Sequence, residues 1–140
     1  EPERKTQRKS IKGIRIRLAE DNELNMEIAE FILESEGAVI TKAWNGQEAV
    51  DIFQNSDEGT FDIILMGVMM PVMDGLSATR TIREMDRKDA REIPIIAMTA
   101  NAFDEDRKRS REAGMDRHLA KPLDPREIVK TISECISHKK

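Results

Sequence analysis

The sequence predicts an α/β fold, a doubly wound five-stranded parallel sheet with helices on both faces. Three observations predict it. Short apolar runs without a helical period, such as residues 61–66 (FDIILM) and 93–98 (IPIIAM), read as strands buried on both faces. Amphipathic stretches of helical spacing follow such runs five times along the chain. The connections between them are short, and the right-handed crossover rule then puts helices on both sides of the sheet. At 140 residues the chain suits one domain large enough to bury a proper core.

In chain order, residues 1–10 carry no apolar side chain and contain Pro2. Residues 1–13 therefore read as a basic disordered linker or a cloning remnant, and residues 14–138 as the folded domain. Residues 14–19 form the first strand, although Arg15 and Arg17 interrupt its apolar run. Residues 22–36 form a helix with Met26, Ile28, Ala29, Ile32 and Leu33 as its apolar stripe, stopped by Gly37. A strand over 38–43 is broken by Asn45-Gly46, and a helix over 47–54 turns Ala49, Val50 and Phe53 inward. Residues 55–60 are a polar turn. The third strand, 61–66, ends at Gly67, and Val68–Gly75 is a loop punctuated by Pro71 and Asp74-Gly75. A helix over 76–86 bears Ala78, Ile82 and Met85, and 87–92 is a charged connector. After the strand at 93–98 comes a charged helix over 103–113, ending at Gly114. A short strand over 117–120 leads to a closing helix over 124–137, with Asp124 as N-cap, Pro125 at the first helical position, and Ile128, Val129, Ile132 and Ile136 on its apolar face. The flavodoxin-like strand order 2-1-3-4-5 is the natural choice, with a site between the first and third strands.

Composition narrows the function classes. No apolar run approaches the roughly 20 residues of a membrane span, and no signal-peptide pattern opens the chain, so a cytoplasmic domain without membrane contact is expected. The single Cys135 excludes an internal disulfide and fits a reducing compartment. The net charge of −4 hides an asymmetry: residues 1–17 hold seven basic residues against two acidic, a charge of +5, which leaves −9 for the rest. A basic arm can touch nucleic acid, but no aromatic interleaving or groove-reading motif accompanies it, and no nucleic-acid partner is expected.

In open α/β sheets, ligands bind just past the carboxyl ends of the strands. Glu20 and Asp21 follow the first strand, Gly67 the third, Thr99 the fourth and Lys121 the fifth. Adjacent carboxylates tolerate joint ionisation best with a cation between them, and hard oxygen ligands suit Mg²⁺. A hydroxyl and an ammonium facing one point suit an anionic group such as phosphoryl. Singly each residue reads as an N-capping acid, a buried threonine or a surface lysine; jointly they read as a site.

The chain resembles the receiver domains of two-component response regulators, most of all those fused to hybrid histidine kinases. The motifs are Glu20-Asp21-Asn22 with Asn25, Met70-Pro71-Val72-Met73-Asp74-Gly75, Ala97-Met98-Thr99-Ala100-Asn101-Ala102, and Ala113-Gly114-Met115 through His118-Leu119-Ala120-Lys121-Pro122. They span about residues 14–137. The resemblance implies that Glu20 and Asp21 hold Mg²⁺ with the Met69 backbone carbonyl, that Thr99 is the switch hydroxyl, that Lys121 pairs with a phosphoryl oxygen, and that His118 occupies the second switch position. It implies as partner a histidine kinase dimerisation domain or a histidine-phosphotransfer domain, docking on the helix over 22–36 with Leu24 and Met26 near its start.

Two residues depart from that pattern. The phospho-accepting aspartate belongs at position 67, and Gly67 has no side chain, so the nucleophile is absent and the Mg²⁺ site loses an anionic ligand. The expected domain is a phosphorelay receiver unable to take phosphate at the usual place, either a natural pseudo-receiver or a substituted variant. The alternative is a working receiver with a substitute acceptor side chain, Asp74 and Thr99 being poor candidates. Arg17 stands where the resemblance places an aliphatic residue, and an unpaired guanidinium there is costly. It is expected to reach the sheet's end or to pair with an acid such as Glu36 or Asp62. A small-molecule binder resembling a flavodoxin fits less well: the first loop lacks a Ser/Thr/Gly-rich phosphate cradle, and Trp44 is the only large stacking residue besides four phenylalanines.

Overall fold

The computed structural model describes residues 11–100, 104–121 and 123–137. Five strands, β1 (Arg15–Ala19), β2 (Val39–Ala43), β3 (Ile63–Gly67), β4 (Ile95–Thr99) and β5 (Arg117–Ala120), pair in parallel in the order β2-β1-β3-β4-β5, as the sequence predicts. Six helices are described: α1 (Glu23–Ser35), α2 (Gly46–Gln54), α3 (Gly75–Arg83), α4 (Lys88–Glu92), α5 (Asp104–Ala113) and α6 (Pro125–Ser137).

Side chains alternate across the pleat and build one core on each face of the sheet. Ile16, Leu18, Ile63, Leu65, Ile96 and Met98 pack with Met26, Ala29 and Leu33 of α1 and Ile128 and Ile132 of α6. Ala19, Ile64, Met66, Ile95 and Ala97 pack with Ala49, Val50 and Phe53 of α2 and Ala78 and Ile82 of α3. Ile11, ahead of β1, is fully buried in the first core.

Caps fix where the helices start, and so where the loops at the carboxyl end of the sheet run. Asn22, Asn45 and Asp74 accept from the backbone N–H groups of Asn25 (2.9 Å), Glu48 (2.8 Å) and Ser77 (2.7 Å). Asp124 Oδ1 accepts from Arg126 N at 2.9 Å, as expected of the residue that opens α6.

Several element ends differ from the sequence reading. Gly67 does not end β3 but belongs to it, paired with Met98, because its extended backbone continues the ladder without a side chain. Thr99 is likewise the last residue of β4, and both strands begin two residues later than expected. The connector at 87–92 holds a helical turn, α4, anchored by Arg87, whose guanidinium donates to Asp89 and to the carbonyls of Phe53 and Ser56. α3 stops at Arg83, three residues early; Arg83 spans from its end to Gly114 O and Asp116. Phe103, expected to open α5, lies outside the described residues.

Arg17 neither reaches the sheet's end nor pairs with Glu36 or Asp62. Asp62 is taken by Arg15, which donates from N, Nε and Nη2 at 2.8–3.1 Å. Arg17 is fully buried, stacks over the Phe61 ring at 4.4 Å, and none of its side-chain nitrogens has a hydrogen-bond partner among the described residues. Burial lowers its pKa to about 10.

Candidate functional site

Parallel register brings the strand ends together. Ala19 lies beside Met66, Gly67 beside Met98, and Thr99 beside Ala120, so Glu20, Gly67, Thr99 and Lys121 line one edge of the sheet. Backbone bonds continue past the strands: Glu20 N donates to Ala43 O (3.1 Å), Val68 N to Met98 O (3.1 Å) and Lys121 N to Thr99 O (2.9 Å).

At the centre is an ion pair. Lys121 Nζ lies 2.9 Å from Glu20 Oε1, and the Glu20 side chain is only 2% exposed. Its other oxygen accepts from Asn22 N (3.2 Å) and Asn25 Nδ2 (3.4 Å), so the buried carboxylate is compensated on both sides. Asp21, the second acid of the pair, is exposed. Thr99 is buried at the end of β4.

Gly67 leaves a small, specific gap. A Cβ there would lie 3.3 Å from Ala19 O, 3.5 Å from Glu20 Oε1 and 3.6 Å from Met70 Cγ. A side chain at 67 would thus point at the Glu20 carboxylate. Gly75, by contrast, has no room: a Cβ would stand 2.0 Å from Gly67 O, and Gly75 N donates to Val68 O at 2.9 Å. The start of α3 therefore lies against the end of β3.

The loop between them stands out from the surface. Met69 and Val72 are 79% and 80% exposed. Val72 has φ of 68°, and Met73 N donates to Pro71 O across it, the strained form of a γ-turn.

Mg²⁺ fits this donor set poorly. Both Glu20 oxygens are engaged in hydrogen bonds, and Gly67 brings no side-chain oxygen. Among the described residues no three carboxylate, imidazole or thiolate groups come together to hold a metal ion.

His118 lies on the face of β5 toward α5, on the same side of the sheet as Thr99. Its Nε2 is buried and has no hydrogen-bond partner among the described residues. Burial, and then the charges of Arg107 and Arg111, hold its pKa below the ordinary value.

Beside the ion pair a cleft of about 170 Å³ opens between α1 and the residues after β5, lined by Ile28, Ala29, Met98 and Leu123. On the outer face of α1, Leu24, Ile28 and Phe31 are exposed at i, i+4, i+7 spacing, Phe31 by 75%. Met26, named with Leu24 as a surface residue, is instead fully buried, and Ile28 leaves the core stripe to face outward. Phe31 was not singled out in the sequence; its place seven residues after Leu24 is the signal that could have found it.

The residues from 16 to 133 match the family model described as the response regulator receiver domain. The chain belongs to that family. This receiver domain is 36% identical over 154 residues to histidine kinase 1 of Arabidopsis thaliana, covering 89% of this chain and 13% of that protein. It is 36% identical over 121 residues to hybrid signal transduction histidine kinase I of Dictyostelium discoideum, covering 85% of this chain and 7% of that protein. Among solved structures it is similar to the receiver domain of the sensor histidine kinase PA1611 of Pseudomonas aeruginosa, which has a magnesium ion coordinated in its active-site cleft: 39% identity, TM-score 0.81, covering 89% of this chain and 98% of that one. It is also similar to a chain of the Saccharomyces cerevisiae complex between the histidine phosphotransfer protein Ypd1 and the receiver domain of Ssk1: 28% identity, TM-score 0.81, covering 91% of this chain and 92% of that one. The receiver domain spans a small part of the kinases it matches. No helix among the described residues is long and apolar enough to cross a membrane.

Proposed function

We propose that residues 14–138 act in the phosphorelay of a hybrid sensor histidine kinase as a receiver that docks its partner without taking phosphate, in the cytoplasm and without contact to membrane or nucleic acid. The observation that carries this reading is Gly67, which stands at the end of β3 facing Glu20 and Lys121 with no carboxylate to attack a phosphoryl group. In this reading Glu20, Asp21 and the Met69 carbonyl keep the positions that would hold Mg²⁺, without the acid at 67 that would complete the site. Lys121 and Thr99 keep the phosphoryl-facing positions, and His118 keeps the second switch position. Substitute acceptors are poorly supplied: Asp74 is committed to capping α3, and Thr99 is a buried hydroxyl, a weak nucleophile.

The docking surface is the outer face of α1 with the adjoining cleft. Leu24, Ile28 and Phe31 form an apolar stripe, and α1 carries Glu23, Glu27, Glu30 and Glu34 with no lysine or arginine. Such a face suits an apolar helix edged with basic residues, on a histidine-phosphotransfer domain or a kinase dimerisation domain.

Intact-mass spectrometry after incubation with Mg²⁺ and acetyl phosphate tests the reading, with Gly67→Asp in parallel. The expected result is a phosphoryl mass on Gly67→Asp alone. A phosphoryl mass on the unsubstituted chain would establish a substitute acceptor and overturn it.

A further inference from the structure

The geometry points to Lys121 as the resident cation of this cleft: its ammonium occupies Glu20, closes the site to divalent metal, and ties the end of β5 to the end of β1 permanently. The inference rests on the same site as the proposed function, but not on the docking partner or on the fate of phosphate.

Three observations carry it. First, Glu20 is almost wholly removed from water, so its charge requires a partner at close range, and Lys121 Nζ at 2.9 Å is that partner. Second, the remaining Glu20 oxygen accepts from Asn22 N and Asn25 Nδ2, so both oxygens of this carboxylate already have partners that a metal would have to displace or share. Third, the place where another carboxylate would compete for Lys121 is Gly67, whose Cβ direction runs toward Glu20 Oε1 at 3.5 Å. With an acid there, the lysine would be shared between two carboxylates. Without it, Lys121 is paired with Glu20 alone among the carboxylates of the described residues.

Charge balance points the same way. Glu20, Asp21 and Lys121 sum to −1, whereas a carboxylate at 67 would make the site −2. A dication entering the present cleft must displace an ammonium from a buried carboxylate and then lie close to it. Removing Lys121 would reverse the situation, because Glu20 would be left buried and unpaired, a state that a dication relieves. Ligand that binds only the folded state raises its melting temperature, so metal entry is readable as stability.

The experiment follows melting temperature against MgCl₂ for the unsubstituted chain, Lys121→Met, Gly67→Asp and the double variant Glu20→Gln/Lys121→Met. Tm of the unsubstituted chain is expected to be flat over the range that saturates Gly67→Asp, meaning at least about tenfold weaker binding. Lys121→Met is expected to gain a saturable rise in Tm, and the double variant to lose it. Should Lys121→Met fail to fold, Mn²⁺ broadening of the Glu20, Asp21 and Gly67 amide resonances in the unsubstituted chain and in Gly67→Asp gives the same comparison. Broadening at equal Mn²⁺ concentrations in the two, or a Lys121→Met variant no more responsive to Mg²⁺ than the unsubstituted chain, would overturn the inference. Metal binding found by either measurement would leave the absence of phosphorylation at Gly67 untouched, since that is read separately by mass.

Discussion

The guanidinium of Arg17 stands 4.4 Å above the ring of Phe61, and among the described residues that π-face takes the place of a hydrogen-bond partner. A cation–π contact of this kind contributes up to about 2 kcal/mol. Burying a guanidinium whose five N–H donors lack acceptors costs more than that. The domain therefore carries a destabilising residue at the centre of β1.

Arg17→Met is expected to raise stability by about 1–4 kcal/mol in urea unfolding. The sign with pH follows from the lowered pKa. Above about pH 10 the unfolded chain keeps a proton that the folded chain has begun to lose, so stability of the unsubstituted domain rises with pH there. The advantage of Arg17→Met should be constant from pH 6 to 9 and begin to narrow above 10. Equal stability of the two chains at pH 7 would refute this.

Val72 is a β-branched residue held at positive φ, where glycine or asparagine is at ease. Val72→Asn is expected to gain about 1 kcal/mol, or roughly 3 °C in Tm by calorimetry.

The two glycines at the end of β3 should answer differently to an added methyl group. Gly67→Ala meets its nearest atoms at 3.3–3.6 Å and is expected to change stability by less than about 1 kcal/mol. Gly75→Ala drives a methyl into the Gly67 carbonyl and is expected to cost about 3 kcal/mol or more. Chemical denaturation of the pair separates a permissive position from a forbidden one.

His118 is held neutral by burial and by Arg107 and Arg111. Its folded pKa lies below 6.5, so the unfolded chain gains the proton first as pH falls, and the stability His118 contributes above that value is lost in acid. His118→Phe should show a shallower fall in Tm between pH 7 and 5 than the unsubstituted chain.

Phe31→Ser removes the most exposed ring of α1 without touching the core. Stability should stay within about 0.5 kcal/mol, while affinity for a histidine-phosphotransfer domain, read by calorimetric titration, falls roughly tenfold. Unchanged affinity would move the docking surface off α1.

The sheet order and the site's four strand-end positions were legible because they follow from alternation and from the rule that ligands gather at strand ends. Glu20, Thr99 and Lys121 needed only that rule to be named. What Lys121 does was not legible, since no sequence pattern says which group takes a lysine when the expected acid is missing. Arg17 was visible as an anomaly, but its resolution depended on Asp62 being claimed by Arg15, a three-dimensional competition. Ile28 lay within the helical spacing of the core stripe, and only packing decided that Met26 turned in and Ile28 out. The helical turn at Lys88–Glu92 was hidden in a charged stretch because tertiary hydrogen bonds from Arg87, rather than an apolar face, hold it.

The room left at Gly67 bears on how far this domain stands from a reactive one. The backbone there is extended and already paired in the sheet, and its neighbours lie at distances that a side chain can meet with shifts of a few tenths of an ångström. In the proposed reading, silence at this site is therefore one residue away from reactivity, at a position where the fold already has room for the side chain.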